Sequence, residues 1–327
     1  MDIENENVTV GEIDGENGSD IENKSRQLVK IVTEICTEQG ITLKKHSYDH
    51  ILELEKGKKR LFIIGYRFPN NNAAAQMICD DKAALSTILE SHGLPVVEHR
   101  FFMDPAYRYI DSGNWSELRQ LLDAHKRLVI KRNKGSGGKG CYVVDSYKRL
   151  ESVTNALFRT NRDIAVSPYY EIENEYRVIV LNSKVMIAYC KERMSVVGDG
   201  VKVIAALIYE KFGGDSIGMD LPVGMESHRI PAAGEKIALA WKHNLSKGAR
   251  AEIVRDTKLL GQLSALALTA AAKIGISFAS VDIVQIDGKF RVLEINSGVM
   301  MEHFASQDED CYAKAKAIYK EAIEAVF

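Results

Sequence analysis

The chain has 327 residues, 46% hydrophobic and 27% charged, with a formal net charge of -2 and a pI of about 6.5. That length allows two domains or one large multi-lobed one with a sizeable core, and the near-neutral balance excludes a long-range field that would gather nucleic acid or an anionic membrane. Five cysteines, Cys36, Cys79, Cys141, Cys190 and Cys311, are scattered without CxxC or Cys/His ligand spacing, which points to reduced thiols of a cytoplasmic protein.

Residues 1–25, MDIENENVTVGEIDGENGSDIENKS, are acidic and rich in Asn and Gly, so burial could not offset the entropy of ordering them and a disordered tail is expected. No basic stretch leads into an apolar one here, so no secretory signal is read. From Ser25 a helical period carries Leu28, Ile31, Val32 and Ile35. The alternation between Ile41 and Tyr66 predicts a hairpin turning at Glu55–Lys59, whose basic cluster lacks interleaved aromatics and reads as a solvated turn. A helix is predicted from Asp80, as N-cap, to Gly93, stopped by Pro95 and followed by a strand over Val96–Phe102. Next come a helix at Trp115–His125, the strand RLVIKR, a glycine-rich loop, the strand CYVV and a helix near Ser146–Arg159. Two strands joined at Asn182-Ser183 follow, then a helix carrying Leu259, Leu260, Leu263, Leu266 and Ala270, and a hairpin turning at Asp287-Gly288. The longest apolar run, Leu263 to Ala272, is about half of what spans a bilayer, so no membrane insertion is expected. Strand pairs with helices between them, and no repeat of fixed period, predict an α+β architecture in several lobes.

Two segments interrupt this pattern chemically. In RLVIKRNKGSGGKGCYVV a loop poor in β-carbons separates two strands; it could bring backbone N–H groups onto a phosphate, or be a plain hairpin with a mobile tip. Neither a Walker pattern nor a dinucleotide fingerprint fits, because Cys141 follows Gly140 and a strand follows the loop. Lys131 lies inside the apolar strand, where a buried charge needs a partner such as phosphate unless it faces solvent. In SVDIVQIDGKFRVLEIN, Glu294 and Asn296 are two apart and share a strand face, and the hairpin brings Asp282 opposite that end. Two carboxylates and a carboxamide form an all-oxygen set suited to Mg2+. The plainer alternatives are Asp282 capping a turn and Glu294 pairing with Arg291.

The order of these motifs resembles the ATP-grasp superfamily of carboxylate-amine ligases from about Asp80 onward, and looks most like the ATP-grasp modules of cyanophycin synthetase and bifunctional glutathione synthetase. The segments that carry it are DDKAALSTILESHGLPV, LVIKRNKGSGGKGCYVV, EYRVIVLNSKVMIAYCKERMSVVGDG, HNLSKGARAEIV and GISFASVDIVQIDGKFRVLEIN. The resemblance implies two α+β subdomains clasping ATP, and divides the chain into the tail 1–25, a short N-terminal α/β segment 26–79, a small subdomain 80–168 with the lid, and a large subdomain 169–327 with the metal hairpin. It implies that Lys82 and Lys131 hold the ATP phosphates and that Gly135, Ser136, Gly137, Gly138 and Gly140 close over them. Backbone groups near Ser167 to Tyr170, those of Tyr169 and Tyr170 among them, would meet adenine at the hinge, and Glu175 the ribose. Asp282, Glu294 and Asn296 would hold Mg2+, and Arg177 and Arg193 would steady the carboxylate and the acyl phosphate. Departures lie at the hinge, SPYY, and after Asn296, where SGVMMEHF follows; Met300 and Met301 read as packing and His303 as structural.

The implied reaction is amide or peptide-bond formation on an amino acid or short peptide, through an acyl phosphate, with release of ADP and phosphate. The alternatives are a kinase or carboxylating ligase on the same site, or a non-catalytic nucleotide-binding scaffold. No nucleic-acid or membrane partner is expected, and the reading leaves room for a homodimer.

Overall fold

Leu28, Ile31, Val32 and Ile35 fall on one stripe and are fully buried, which makes the first helix, α1 (Gln27–Gln39), an amphipathic lid over the sheet that follows. This is a computed structural model; it describes residues 26–107, 113–135, 140–193, 195–213, 225–239 and 250–327, so the tail and the loop residues Ser136, Gly137 and Gly138 lie outside the described residues. The alternating stretch after α1 forms a three-stranded antiparallel sheet of β1 (Thr42–His46), β2 (Ile51–Lys56) and β3 (Lys59–Ile64). Its second hairpin turns where the glycine was read, with Gly57 at φ 61°.

The single helix expected from Asp80 is two: α2 (Ala73–Asp80) and α3 (Lys82–Ser91). Of two adjacent aspartates, only the one whose backbone leaves the helix can cap, and that is Asp81, at φ -102° and ψ 103°, whose carboxylate accepts from the Ala84 N–H at 2.9 Å. Asp80 instead ends α2 and pairs with Arg67 at 2.8 Å. The strand expected over Val96–Phe102 is shorter, β4 (Arg100–Met103), because Val97 is already engaged: its N–H donates to the Val292 carbonyl at 2.9 Å.

Then come α4 (Trp115–His125), β5 (Leu128–Arg132), β6 (Cys141–Val144), α5 (Tyr147–Phe158) and β7 (Asp163–Pro168). These strands and β4 make a sheet ordered β4-β7-β5-β6, whose one face buries Phe102, Leu128, Ile130 and Ile164 against Leu118 of α4 and Leu150 of α5. The other face carries Lys131.

A larger sheet is built from β8 (Asn174–Leu181), β9 (Lys184–Lys191), β12 (Ala251–Ile253), β13 (Phe278–Ile286) and β14 (Lys289–Asn296), in the order β12-β9-β8-β13-β14. Its two tight turns are those read from the sequence: Asn182 and Ser183 at φ 46° and 62°, Asp287 and Gly288 at φ 49° and 70°. Between β9 and β12 lie β10 (Ser195–Val197), α6 (Ile204–Phe212) and β11 (Lys236–Ala238). In VVGDG, Gly198 is needed for close approach, since a Cβ there would meet the Ala232 carbonyl oxygen at 2.2 Å. The helix α7 (Thr257–Ile274) buries Leu263, Ala267 and Ala270 on one face of the large sheet beside Leu85 and Leu89 of α3. The opposite face is shared. One end packs α1, α8 (Glu302–Ala305) and α9 (Glu309–Glu324), and the other end is polar. Among the described residues no helix is long and apolar enough to cross a membrane, and the apolar run of α7 is spent on the sheet.

Candidate functional site

The polar end of the large sheet follows from strand alternation. Asp282 pairs with Arg177 on one side and Glu294 on the other, and Glu175 pairs with Val284. Residues directly opposite or two apart share a face, so Asp282, Glu294, Asn296, Arg177 and Glu175 all project to the side away from α7. Lys191 joins them through β9: its Nζ donates to Glu175 at 2.5 Å and to Asp282 Oδ2 at 2.8 Å. Arg177 makes a two-pronged contact, Nε to Oδ1 at 2.8 Å and Nη2 to Oδ2 at 2.7 Å of Asp282.

This is a buried charge network of two cations and two carboxylates. Burial pushes the Asp282 carboxyl up, but Arg177 and Lys191 more than reverse it and hold the carboxyl well below its usual range. Burial dominates at Glu175 and raises its carboxyl, with Lys191 pulling against it. For Arg177 the same competition, burial against Asp282, ends with the guanidinium even more firmly charged. Glu294 accepts from the Asn296 amide at 3.2 Å, and Arg291, the alternative partner, lies over the Tyr170 ring at 5.4 Å instead.

The small sheet faces this network. Burial is the main reason the Lys131 ammonium sits below its ordinary value, and among the charges that act on it are Glu294 and Glu175 of the large sheet, which puts this lysine on the side of the small sheet nearest the acidic face. Lys82, at the first position of α3, reaches the start of the glycine loop: its Nζ donates to the Gly135 carbonyl at 2.5 Å, and its N–H to the Asn133 carbonyl at 3.3 Å. Gly140 closes the loop at φ 66°, where a Cβ would approach Arg132 Nε at 2.9 Å. The hinge connects the sheets: the Tyr169 N–H donates to the Arg127 carbonyl at 3.0 Å, and the Arg127 guanidinium covers the Tyr169 ring at 3.8 Å.

Of the residues expected from sequence, Lys131, Glu175, Arg177, Asp282, Glu294 and Asn296 therefore converge, and Lys82, Gly135 and Gly140 meet beside Lys131. Arg193 is set apart. It lies beyond β9, donates to the Ile172 carbonyl, and lines a cleft of about 1130 Å³ with Lys191, Lys236, Arg250 and Arg255. Neither Asp282 nor Glu294 lines that cleft, although Lys191, which donates to Asp282, does. Lys191 was not singled out from the sequence. A regular ladder from the Asn182-Ser183 turn would place Cys190 opposite Glu175, but a bulge between Ile179 and Val180 shifts the register and puts Tyr176 opposite Cys190, which turns Lys191 inward.

The donor chemistry suits a hard divalent cation. Asp282, Glu294 and Asn296 offer only oxygens, and Ser280, directly opposite Asn296, has a buried hydroxyl without a hydrogen-bond partner among the described residues. Among the described residues no group of three His, Cys, Asp or Glu side chains is placed to hold a metal ion by itself.

A four-stranded and a five-stranded antiparallel sheet facing each other across a hinge, with a lysine and glycine loop on one and acidic residues on the other, define an ATP-grasp fold. The same fold is found in the bifunctional glutathione synthetase from Pasteurella multocida, at a TM-score of 0.55 and 18% identity over 91% of this chain and 45% of that one. Residues 223–318 match the family model of the RimK-like ATP-grasp domain. The chain is 26% identical over 246 residues to a cyanophycin synthetase of Trichormus variabilis, covering 69% of this chain and 26% of that protein. It is 26% identical over 176 residues to the tetrahydromethanopterin:alpha-L-glutamate ligase of Methanocaldococcus jannaschii, covering 54% and 47%. The chain thus spans about a quarter of the one relative's length and about half of the other's. The resemblance read from the motifs, and the α+β architecture, are borne out.

Proposed function

We propose that the protein is an ATP-dependent ligase that joins a carboxylate to an amine, on an amino acid or short peptide, through an acyl phosphate. What carries this reading is the pairing of Asp282 with Glu294 on the polar face of the large sheet, with the charge of Glu294 and Glu175 acting on Lys131 of the small sheet. The names of the ligases to which the chain is similar support it.

A carboxylate resists amines because its leaving group would be oxide. In the proposed reaction a carboxylate oxygen attacks the γ-phosphorus, the bond to the β-phosphate oxygen breaks, and ADP leaves. The amine nitrogen then attacks the acyl carbon, inorganic phosphate departs, and the nitrogen gives up a proton. Lys131 and Lys82 hold the phosphates by charge, and Gly135 and Gly140 admit the backbone close to them. Arg177 and Lys191 hold the Asp282 carboxylate ionised and oriented, and Glu294 and Asn296 complete the oxygen set that would hold Mg2+. Mg2+, when bound, would neutralise charge on the transferred phosphoryl group. That none of the five cysteines is in a disulfide supports a reducing, cytoplasmic setting.

Hydroxylamine trapping tests the reaction class. With the right acid, ATP and hydroxylamine, a hydroxamate and ADP should form together; a stable phosphorylated product without hydroxamate would make the protein a kinase, and no acid-dependent ADP release would remove the ligase reading.

The pH dependence has a definite sign. Phosphate binding needs the Lys131 ammonium, and that group loses its proton at lower pH than a free lysine, whose value is about 10.4. ATP affinity of the free protein should therefore decline on the alkaline side before ordinary lysines titrate, as measured by ATP dissociation constants between about pH 7 and 10. An affinity flat across that range would remove Lys131 from the phosphate site.

A further inference from the structure

Arg67 precedes the motifs that carry the ATP-grasp resemblance, yet its side chain reaches two elements that build the site. The turn Ile64–Arg67 is closed by two hydrogen bonds, from the Arg67 N–H to the Ile64 carbonyl at 2.9 Å and from the Ile64 N–H to the Arg67 carbonyl at 3.0 Å, and Gly65 supplies left-handed backbone at φ 61°. Phe68 follows, buried edge-on to Phe278 and stacked on Tyr319, so the Arg67 backbone is anchored in the core. The turn also docks on the chain just past β14: Arg67 forms a bridge with Gly298, and the Val299 N–H donates to the Tyr66 carbonyl at 3.0 Å.

From this fixed point the guanidinium reaches in two directions. Nη2 donates to both carboxylate oxygens of Asp80 at 2.8 Å, and Nε donates to Ser297 Oγ at 3.3 Å. Each partner adjoins a residue of the nucleotide site. Asp80 ends α2, and two residues further Lys82 opens α3 and donates to the Gly135 carbonyl of the glycine loop. Ser297, 1% exposed, directly follows Asn296, the last residue of β14. One arginine thus ties the helix that begins with Lys82 to the strand that ends in Asn296.

The tie does little for the fold. The Arg67 and Asp80 side chains are 45% and 43% exposed, and exposed ion pairs contribute little to stability. What a guanidinium adds is direction: its donors lie in one rigid plane, so binding Asp80 through one nitrogen and Ser297 through another sets the angle between them, as a lysine could not. We propose that Arg67 is a positioning residue of the nucleotide site, holding Lys82 and Asn296 in the relative placement that a magnesium nucleotide requires. This rests on the nucleotide-site reading above. Arg67 itself need not touch nucleotide or metal.

The test is ATP calorimetry on the full chain over a range of Mg2+ concentrations and without Mg2+, beside a thermal melt without nucleotide. Arg67→Met should raise the Mg2+ concentration that half-maximally enhances ATP binding by about tenfold, the lower end of what losing a residue behind a metal ligand costs. The melting temperature should stay within about 2 °C. Asp80→Ala should shift the Mg2+ requirement the same way, and should change it less than about twofold when Arg67→Met is already present, because both act through one contact. Arg67→Lys keeps the charge without the planar fork and should not restore it. An unchanged Mg2+ requirement in Arg67→Met overturns the proposal, as do additive losses in the double variant. Full rescue by Lys would make Arg67 a distant charge instead. Affinity lost equally with and without Mg2+, together with a large drop in melting temperature, would make it a clip for the N-terminal segment. Should Arg67→Met fail to fold, Asp80→Ala removes the same ion pair without altering the turn. If the unmodified protein binds no ATP at any Mg2+ concentration, the functional reading itself fails, an outcome distinct from all of these.

Discussion

Glu294→Gln is expected to lower turnover by a factor of about 10²–10³ with little change in thermal stability, whereas Asp282→Asn is expected to lose both. The two carboxylates are neighbours across one ladder but differ in what they hold. Asp282 is 1% exposed and neutralises Arg177 and Lys191 together. Asn removes the charge and leaves two buried cations with Glu175 alone; breaking a buried pair in this way costs about 3–5 kcal/mol. Glu294 is half-buried and its one hydrogen bond is from Asn296, which Gln can still accept. Acid-dependent ADP release and a thermal melt of each variant separate the effects. Near-normal release by both would remove the metal-binding reading, and an unchanged melt for Asp282→Asn would show that the cations find other partners. The stability that Asp282 contributes is present above the unfolded carboxylate range and is lost as pH falls through its depressed folded value, so the unmodified protein should resist acid well.

Lys131→Met is expected to abolish most of the ATP affinity while leaving the melting temperature unchanged or slightly higher. Burial already disfavours the ammonium, and an unbranched apolar side chain of similar length removes that cost without opening a cavity. The two effects have opposite signs because the charge is kept for the ligand rather than for the fold. A lysine merely lying on the solvent face of β5 would give neither. Nucleotide calorimetry and a thermal melt in the absence of nucleotide decide it; a large drop in melting temperature would mean that Lys131 braces the cleft through Glu294 or Glu175.

Much of this was legible in the chain itself. Helix α4 begins and ends where Trp115 and His125 were read, and the turns at Asn182-Ser183 and Asp287-Gly288 adopt the left-handed backbone their residues permit. Those are local signals, and local sterics decide them. The choice of Asp81 over Asp80 as cap was not legible, because both residues offer the same side chain and only the backbone path distinguishes them.

Composition and spacing determined the motif order, the apolar stripes of α1 and α7, and the presence of carboxylates on strands that otherwise read as core. The tertiary structure alone decided which carboxylate meets which partner. A regular ladder from Asp287-Gly288 would set Asp282 opposite Leu293 and turn Glu294 to the far face; a bulge after Asp282 shifts the register by one, so that Asp282 and Glu294 pair directly. The equivalent shift in β8 and β9 brings Lys191 to Glu175. In a strand each residue of slip reverses the face, and a single bulge has no signature that hydrophobic alternation can reveal. The residue types were therefore present in the sequence, while their convergence on one face came from two irregularities fixed by packing between the sheets and their helices.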